Sequence, residues 1–171
     1  GKAKDKDYVI CRLAEETFQR IFSAARKVGK SFPVYLLEID GKSSEIAFAR
    51  RERKTSPGYR GFAVEYDPGV TLEEDLWRRD TTMNSLAIEL PDGTLWDFFH
   101  GQRAIEQKKI RAVSAHFLED PVRALRAARQ AAAFGFEITE ETLIYMRACR
   151  TELLQEPQER IVQELSRALE A

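Results

Sequence analysis

Cysteine and histidine are scarce in this sequence. Cys11 and Cys149 are its only cysteines, and His100 and His116 its only histidines. No Cys-x-x-Cys pair occurs, which argues against a structural zinc site or a disulfide framework. Reduced thiols of an intracellular, cytoplasmic protein are the expectation. Long apolar runs are missing too. No stretch approaches the ~20 residues needed to span a bilayer, so no membrane partner is expected. The start, Gly1-Lys2-Ala3-Lys4-Asp5, has neither the apolar core of a signal peptide nor an initiator Met. The sequence is therefore expected to begin partway into a larger protein. Net charge is small as well: 27 basic against 28 acidic residues leave −1, which excludes a globally basic nucleic-acid coat.

What is present is enough apolar residue, 43% of 171, for a packed core of one domain or one plus a piece of a second. Charge is unevenly spread. Arg50, Arg51, Arg53, Lys54 and Arg60 face only Glu52, whereas Gly61 to Leu76 holds acids and no base. Alternating patches of this kind suit a polyanion handled beside metal ions, though each is also an ordinary solvated face.

Periodicity divides the chain. Tyr8 to Cys11 reads as a short buried strand, and Phe18, Ile21, Phe22 and Ala25 as a helix stopped at Gly29. Phe32 to Ile39 and Ser44 to Arg50 flank Asp40-Gly41 as a hairpin. Arg51 to Val70, with Pro57-Gly58 and Pro68-Gly69, reads as a long mobile loop. A second hairpin is expected from Ser85 to Leu90 and Thr94 to Phe98. Asp120-Pro121, Thr139-Glu140-Glu141 and Glu156-Pro157 are helix starts. An apolar stripe of Val122, Leu125, Ala132 and Phe136 is expected to dock the first of these helices on a core. The expectation is a sheet-bearing unit over 1–112 and a helical unit over 113–171.

Four groups of residues could carry chemistry. Asp5 and Asp7 lie two apart just ahead of a strand; if extended, both carboxylates share a face. They are then hard ligands suited to Mg²⁺, although a bare DxD is also what a charged terminus looks like. Glu45, on the hairpin strand, is either a third carboxylate for that site or an exposed strand residue. Arg79 could clamp a triphosphate, Asp80 accept from a ribose 2′-hydroxyl, and Asn84 lies beside them. The alternative for Arg79 and Asp80 is a local ion pair. Arg123, Arg126 and Arg129 form a basic ridge at spacing three after Asp120, an arrangement that packing does not explain and that favours phosphate or base recognition. Asp120 is itself accounted for as an N-cap. One carboxylate beside one guanidinium complements the amine donor and ring-nitrogen acceptor shared by cytosine and adenine, and mismatches uracil and guanine.

From about Lys4 to Ala171 the sequence resembles the head and neck of class II tRNA nucleotidyltransferases, the CCA-adding enzymes and their relatives the bacterial poly(A) polymerases. Asp5-Lys6-Asp7 is similar to the family DxD. Ala49 to Leu76 resembles the flexible loop and its exit. Arg78-Arg79-Asp80 with Asn84 matches RRDxxxN, and Asp97 to Gly101 resembles the DPFxG turn. Glu119-Asp120 with Arg123 matches EDxxR, followed by Arg126 and Arg129, and Glu159-Arg160-Ile161 with Glu164 looks like ERIxxEL. The family's GGxVRD segment lies upstream of the first residue here, and Phe98 replaces the proline of the turn.

The resemblance implies an α/β (α+β) nucleotidyltransferase head of the polymerase-beta-like superfamily over 1–112, followed by an all-helical neck over 113–171. It implies attack of a tRNA 3′-hydroxyl on CTP or ATP with release of pyrophosphate, Mg²⁺ on Asp5 and Asp7, and nucleotide contacts from Arg79, Asp80, Asn84, Asp120, Arg123, Arg126 and Arg129. Glu45 is the added catalytic candidate. The alternatives are a poly(A) polymerase, a CC-adding or A-adding enzyme, and an inactive RNA-binding module. Asp5→Ala is expected to abolish nucleotide addition while leaving circular dichroism unchanged; activity near wild type would remove Asp5 from the metal site.

Overall fold

The computed structural model describes residues 6–28, 33–55 and 62–170. Gly29, Phe32, the Pro57-Gly58 turn and Asp5 lie outside the described residues. The chain forms two compact units, one from residues 1–53 with 63–75 and the other from 54–62 with 76–171.

The first unit is built on a four-stranded sheet. Its strands are β1 (Asp7–Ile10), β2 (Arg26–Lys27), β3 (Val34–Ile39) and β4 (Lys42–Phe48), in the order β1-β4-β3-β2, with helix α1 (Glu15–Ile21) after β1. β1 runs parallel to β4, and β3 is antiparallel to both of its neighbours. The expected hairpin forms around Asp40 and Gly41, both at positive φ (52° and 72°), as a tight turn between antiparallel strands requires. One face of the sheet carries Tyr35, Ile46 and Phe48, which close with Phe18 of α1 into an aromatic-rich core. Phe18 lies 5.0 Å from Tyr35 and 5.5 Å edge-on from Phe48, ring to ring.

Two expectations change here. The first helix ends at Ile21, so Phe22 and Ala25 fall beyond it, and Ile21 itself is exposed. Phe18 is the one buried side chain of α1, Gln19 donates to the Tyr35 hydroxyl and Glu15 accepts from it, and the remaining apolar periodicity does not mark a buried stripe. The expected loop of Arg51 to Val70 contains a paired strand couple, β5 (Arg51–Lys54) and β6 (Phe62–Glu65). Its first strand is entirely charged, so no hydrophobic alternation announces it. Ion pairs support it instead: Arg51 grips Glu74 through Nε at 2.8 Å and Nη2 at 3.1 Å. Glu74 belongs to α2 (Leu72–Trp77), which opens on a capping box. The Glu74 N–H donates to Thr71 Oγ1 at 3.2 Å, and the Thr71 N–H donates back to Glu74 Oε2 at 2.9 Å. Arg51, then Thr71, holds the Glu74 carboxyl down at about 2.

The second unit contains a short hairpin, β7 (Ala87–Ile88) with β8 (Leu95–Trp96), briefer than expected because Ser85 is buried and bonds to the Leu76 and Thr81 carbonyls. Helix α3 (Gly101–Glu106) and strand β9 (Lys109–Ile110) follow, then α4 (Val122–Phe134), β10 (Glu137–Ile138), α5 (Glu140–Ala148), α6 (Arg150–Leu153) and α7 (Gln158–Leu169). β9 and β10 pair in parallel, so 113–171, expected to be all-helical, contains one short strand among the described residues, β10, which is recruited by backbone pairing to β9. Ile110, Phe117, Ala124, Ala127 and Cys149 form its core. The expected helix starts hold: the Asp120 carboxylate accepts from the Val122 N–H at 3.2 Å, and Thr139 Oγ1 from the Thr142 N–H at 3.4 Å. The expected stripe on α4 does not. Its buried face is Val122, Arg123, Ala124, Ala127 and Gln130, whereas Ala132 is exposed and Phe136 lies past the helix end. Small alanines allow close approach, and the polar members are satisfied by hydrogen bonds.

Asp97 caps α3, accepting from Gly101 N at 2.6 Å and Gln102 N at 3.0 Å. Gly101 is required for a steric reason. A Cβ there would stand 2.3 Å from the Thr82 carbonyl oxygen, a backbone atom that cannot swing away. Gly101→Ala is therefore expected to destabilise the protein by about 1–3 kcal/mol, the usual range for overpacking, read as a lowered urea midpoint. An unchanged midpoint would mean that this approach is looser than described.

Candidate nucleotide-binding and metal-binding sites

In the first unit, the pleat decides which carboxylates meet. Tyr8 and Ile10 of β1 and Ile46 and Phe48 of β4 pack into the core, so their alternates face the other way. Those alternates include Asp7 and Glu45, which are register partners on adjacent parallel strands and are both exposed. Among the described residues neither side-chain carboxylate accepts a hydrogen bond or forms an ion pair. The chemistry of this donor set fits a hard divalent cation: two carboxylates on one face, with Asp5 two residues upstream but outside the described residues. Among the described residues no group of three His, Cys, Asp or Glu side chains is close enough to hold a metal.

In the second unit, the segment from Asp80 to Thr82 is fixed by its backbone. Thr81 bridges Ala112, the Thr82 N–H donates to the Arg111 carbonyl at 2.8 Å, and the Val113 N–H donates to the Asp80 carbonyl at 3.3 Å. This clamp drives the Asp80 side chain inward, leaving it 6% exposed. Four donors meet it there. Oδ1 accepts from the Thr81 N–H at 2.7 Å and Asn84 Nδ2 at 3.1 Å; Oδ2 accepts from Arg126 Nε at 2.8 Å and Gln130 Nε2 at 3.3 Å. A carboxylate offers about four acceptor positions, so this one is saturated. Arg79, expected beside Asp80, donates to the Asn84 carbonyl at 3.3 Å.

Burial alone would raise the Asp80 carboxyl, but the Arg126 charge and the converging hydrogen bonds outweigh it and hold the group below the ordinary carboxylate range. The magnitudes agree with that sign. Desolvating a carboxylate costs several kcal/mol, and one guanidinium with three further donors at about 1.5–3 kcal/mol each offsets it.

The arginine ridge has internal partners, which corrects the expectation that packing leaves it unexplained. Arg126 reaches from Asp80 to Glu164 Oε1 at 3.7 Å, and Arg129 Nε donates to Glu164 Oε2 at 2.8 Å. Arg123 is buried and donates to the His116 carbonyl. Asp120 binds Arg160 Nη2 at 2.9 Å through Oδ2, while Arg160 also holds Glu156 at 2.6 Å. So α7 supplies Glu164 and Arg160 as counter-charges to the ridge and to Asp120. Sequence reasoning placed those two in a supporting helix without their partners, and it missed Gln130 altogether. Its signal was available: a glutamine four residues after Arg126, on an alanine-lined face.

Comparison with known proteins adds the following. A family described as poly(A) polymerase head domain matches residues 2–111, and one described as a probable RNA- and SrmB-binding site of polymerase A matches residues 135–171. A multifunctional CCA protein of Stenotrophomonas maltophilia (strain K279a) is 52% identical, aligned over 98% of this chain and 41% of its own length. The solved apo form II of a CCA-adding enzyme is 32% identical with a TM-score of 0.83, covering 99% of this chain and 41% of that one. The Bacillus stearothermophilus CCA-adding enzyme, solved with CTP, is 28% identical with a TM-score of 0.80, over 98% and 40%. The chain thus spans about two fifths of the length of the curated relatives it matches.

The Asp80 carboxyl has a lowered folded pKa, so its stabilisation is complete above the unfolded value near 4 and is lost as pH falls through the lower folded value. Asp80→Asn is expected to cost about 2 kcal/mol at pH 7, below the range for breaking a fully buried pair because Arg126 is 37% exposed. That cost should shrink toward zero at the acid end of the denaturation series. A cost independent of pH would contradict the ion pair.

Proposed function

This chain belongs to the poly(A) polymerase head-domain family, and we propose that it is the head and neck of an enzyme that completes the 3′ end of tRNA with C and A from CTP and ATP, releasing pyrophosphate. The observation that carries the proposal is the convergence of two motifs 46 residues apart. Arg126, following Glu119-Asp120-x-x-Arg123, donates to Asp80 of Arg78-Arg79-Asp80. Ribose and base recognition would then sit in one network. The match of the head-domain family to residues 2–111 supports a head over 1–112 and a neck over 113–171. No helix among the described residues is long and apolar enough to cross a membrane, and we place the reaction in the cytoplasm, with tRNA as partner.

Each residue has a role in this reading. Asp5 and Asp7 hold Mg²⁺, with Glu45 on the same open face as Asp7 to complete the site. Bound Mg²⁺ supplies charge stabilisation for phosphoryl transfer, lowering the cost of the attacking and leaving oxygens. Arg79, Arg126 and Arg129 receive the triphosphate; for the last two, phosphate replaces the Glu164 carboxylate as the anionic partner. Asp120 accepts from the exocyclic amine of cytosine or adenine, and Arg123 donates to the adjacent ring nitrogen. A base of opposite polarity would leave both groups unpaired, a penalty large enough for strong rejection. Asp80 and Asn84 face the ribose.

The test uses the intact protein that carries this chain, with tRNA ending before CCA and tRNA ending in CC, each supplied with CTP, ATP or both. Extension that stops at a complete CCA is expected. CC-only or A-only products would make it a split-specificity enzyme, long A tails a poly(A) polymerase, and no extension by folded protein with Mg²⁺ an RNA-binding module.

A further inference from the structure

We propose that Trp77 is a nucleobase-stacking residue: its exposed indole receives the 3′-terminal base of the RNA, beside the carboxylate of Asp120 that meets the incoming base. The proposal rests on the reading of this chain as part of a tRNA-completing enzyme. Trp77 ends α2 and is 46% exposed. Among the described residues its indole makes one ring contact, to His116, at 4.0 Å and 72° between planes, and no hydrogen bond. An edge-on contact of this kind leaves at least one face of the indole uncovered by the imidazole, whichever ring presents its edge. The other exposed aromatic rings of the second unit are differently placed. Trp96 has a face covered by Phe98, stacked at 15°, and Phe134 tilts against Phe136 at the end of α4.

The indole is exposed yet held in place. Ser114 Oγ donates to the Trp77 carbonyl at 3.2 Å, which fixes the backbone. His116 fixes the ring and is itself pinned, because its Nδ1 lies 2.7 Å from Glu119 Oε2. A carboxylate only accepts, so the imidazole donates there and its plane is set. Arg123 of α4 also donates to the His116 carbonyl. Glu119 directly precedes Asp120, about 3.8 Å along the chain, so the ring is anchored to the residue next to the proposed base contact. Covering His116 uses only the buried part of the indole; the exposed part has no partner among the described residues. An aromatic ring ordered in advance is what base stacking requires, since little side-chain entropy is left to lose. Arg78 and Arg79 follow Trp77 and place two positive charges beside it. They oppose a cationic partner and favour the polyanionic strand to which a stacked base belongs.

The experiment measures dissociation constants of the intact protein for two RNAs: tRNA ending in CC, and the same tRNA with an abasic ribose as its last nucleotide. Trp77→Leu keeps an apolar contact on His116 and removes the stacking face. It is expected to weaken binding of tRNA ending in CC about tenfold, within the range for one base on one aromatic ring, and to leave the abasic tRNA unaffected. Trp77→Phe keeps a stacking face and is expected to stay within about twofold of wild type on both RNAs. A merely structural role would weaken both RNAs together in Trp77→Leu. Equal loss on the two RNAs, or no loss on either, overturns the proposal. Should Trp77→Leu fail to fold, fluorescence carries the same test: the emission that Trp77→Phe removes is expected to be quenched by tRNA ending in CC and not by the abasic tRNA. Equal quenching by both would overturn it. ATP addition to tRNA ending in CC, followed in parallel, separates the two claims. Base-dependent binding through Trp77 without any addition would refute the enzyme reading and leave an RNA-base site. Normal addition with no base-dependent loss in Trp77→Leu would refute the stacking site alone.

Discussion

The second unit of this protein is organised around one buried charge. An aspartate at 6% exposure is unfavourable unless the surroundings answer it, and Asp80 is answered by four donors from three places in the chain. The first is its own neighbour, Thr81, held by the strand-like bridge to Ala112. The second is Asn84, brought round by the short 3-10 turn of Thr82–Asn84. The third is α4, through Arg126 and Gln130. Each donor is useful only if its element is in place, so the cost of stranding the charge is shared among the backbone clamp, the turn and the helix.

From Asp80 the polar network runs outward through Arg126 to Glu164, and Glu164 in turn gathers Arg129 and Arg167. A parallel link joins Asp120 to Arg160 and Glu156. In both, α7 supplies the opposite charge, Glu164 to the arginines of α4 and Arg160 to Asp120 just ahead of it, so ion pairs help to register the two helices. Such pairs are more valuable for specifying one arrangement than for adding stability. In the proposed reading, where Arg126 and Arg129 receive phosphate, their ion pairs with Asp80 and Glu164 would hold them ordered beforehand and reduce the side-chain entropy that binding has to remove.

Much of this was legible in the sequence where local chemistry decides. Asp40-Gly41, Asp120-Pro121 and Thr139-Glu140 each encode a turn or a cap within a few residues, and each forms as expected. Glu45 was legible as a neighbour of the DxD strand, and the register places it opposite Asp7. Where partners are distant, the reading ran out. The strand Arg51–Lys54 has no apolar alternation because its support is ionic, from Glu74 in a later helix. The Thr71-x-x-Glu74 capping box is encoded locally, amid the proline and glycine turns that give this stretch the pattern of a loop. The buried face of α4 was misjudged because arginine and glutamine count as surface residues until their partners are known. No periodicity reveals that Arg126 meets Asp80, or that Arg160 meets Asp120.

The central claim is that Asp80 and Arg126 work as one unit in both folding and nucleotide recognition. A double-mutant cycle with Asp80→Asn, Arg126→Met and the pair together, carried through urea denaturation and kcat/KM for ATP, tests it directly. The account predicts strong coupling in both readouts: the double variant loses little more than the worse single variant, with a coupling of about 1–2 kcal/mol in stability for this partly exposed partner. Losses that simply add in both readouts would contradict it.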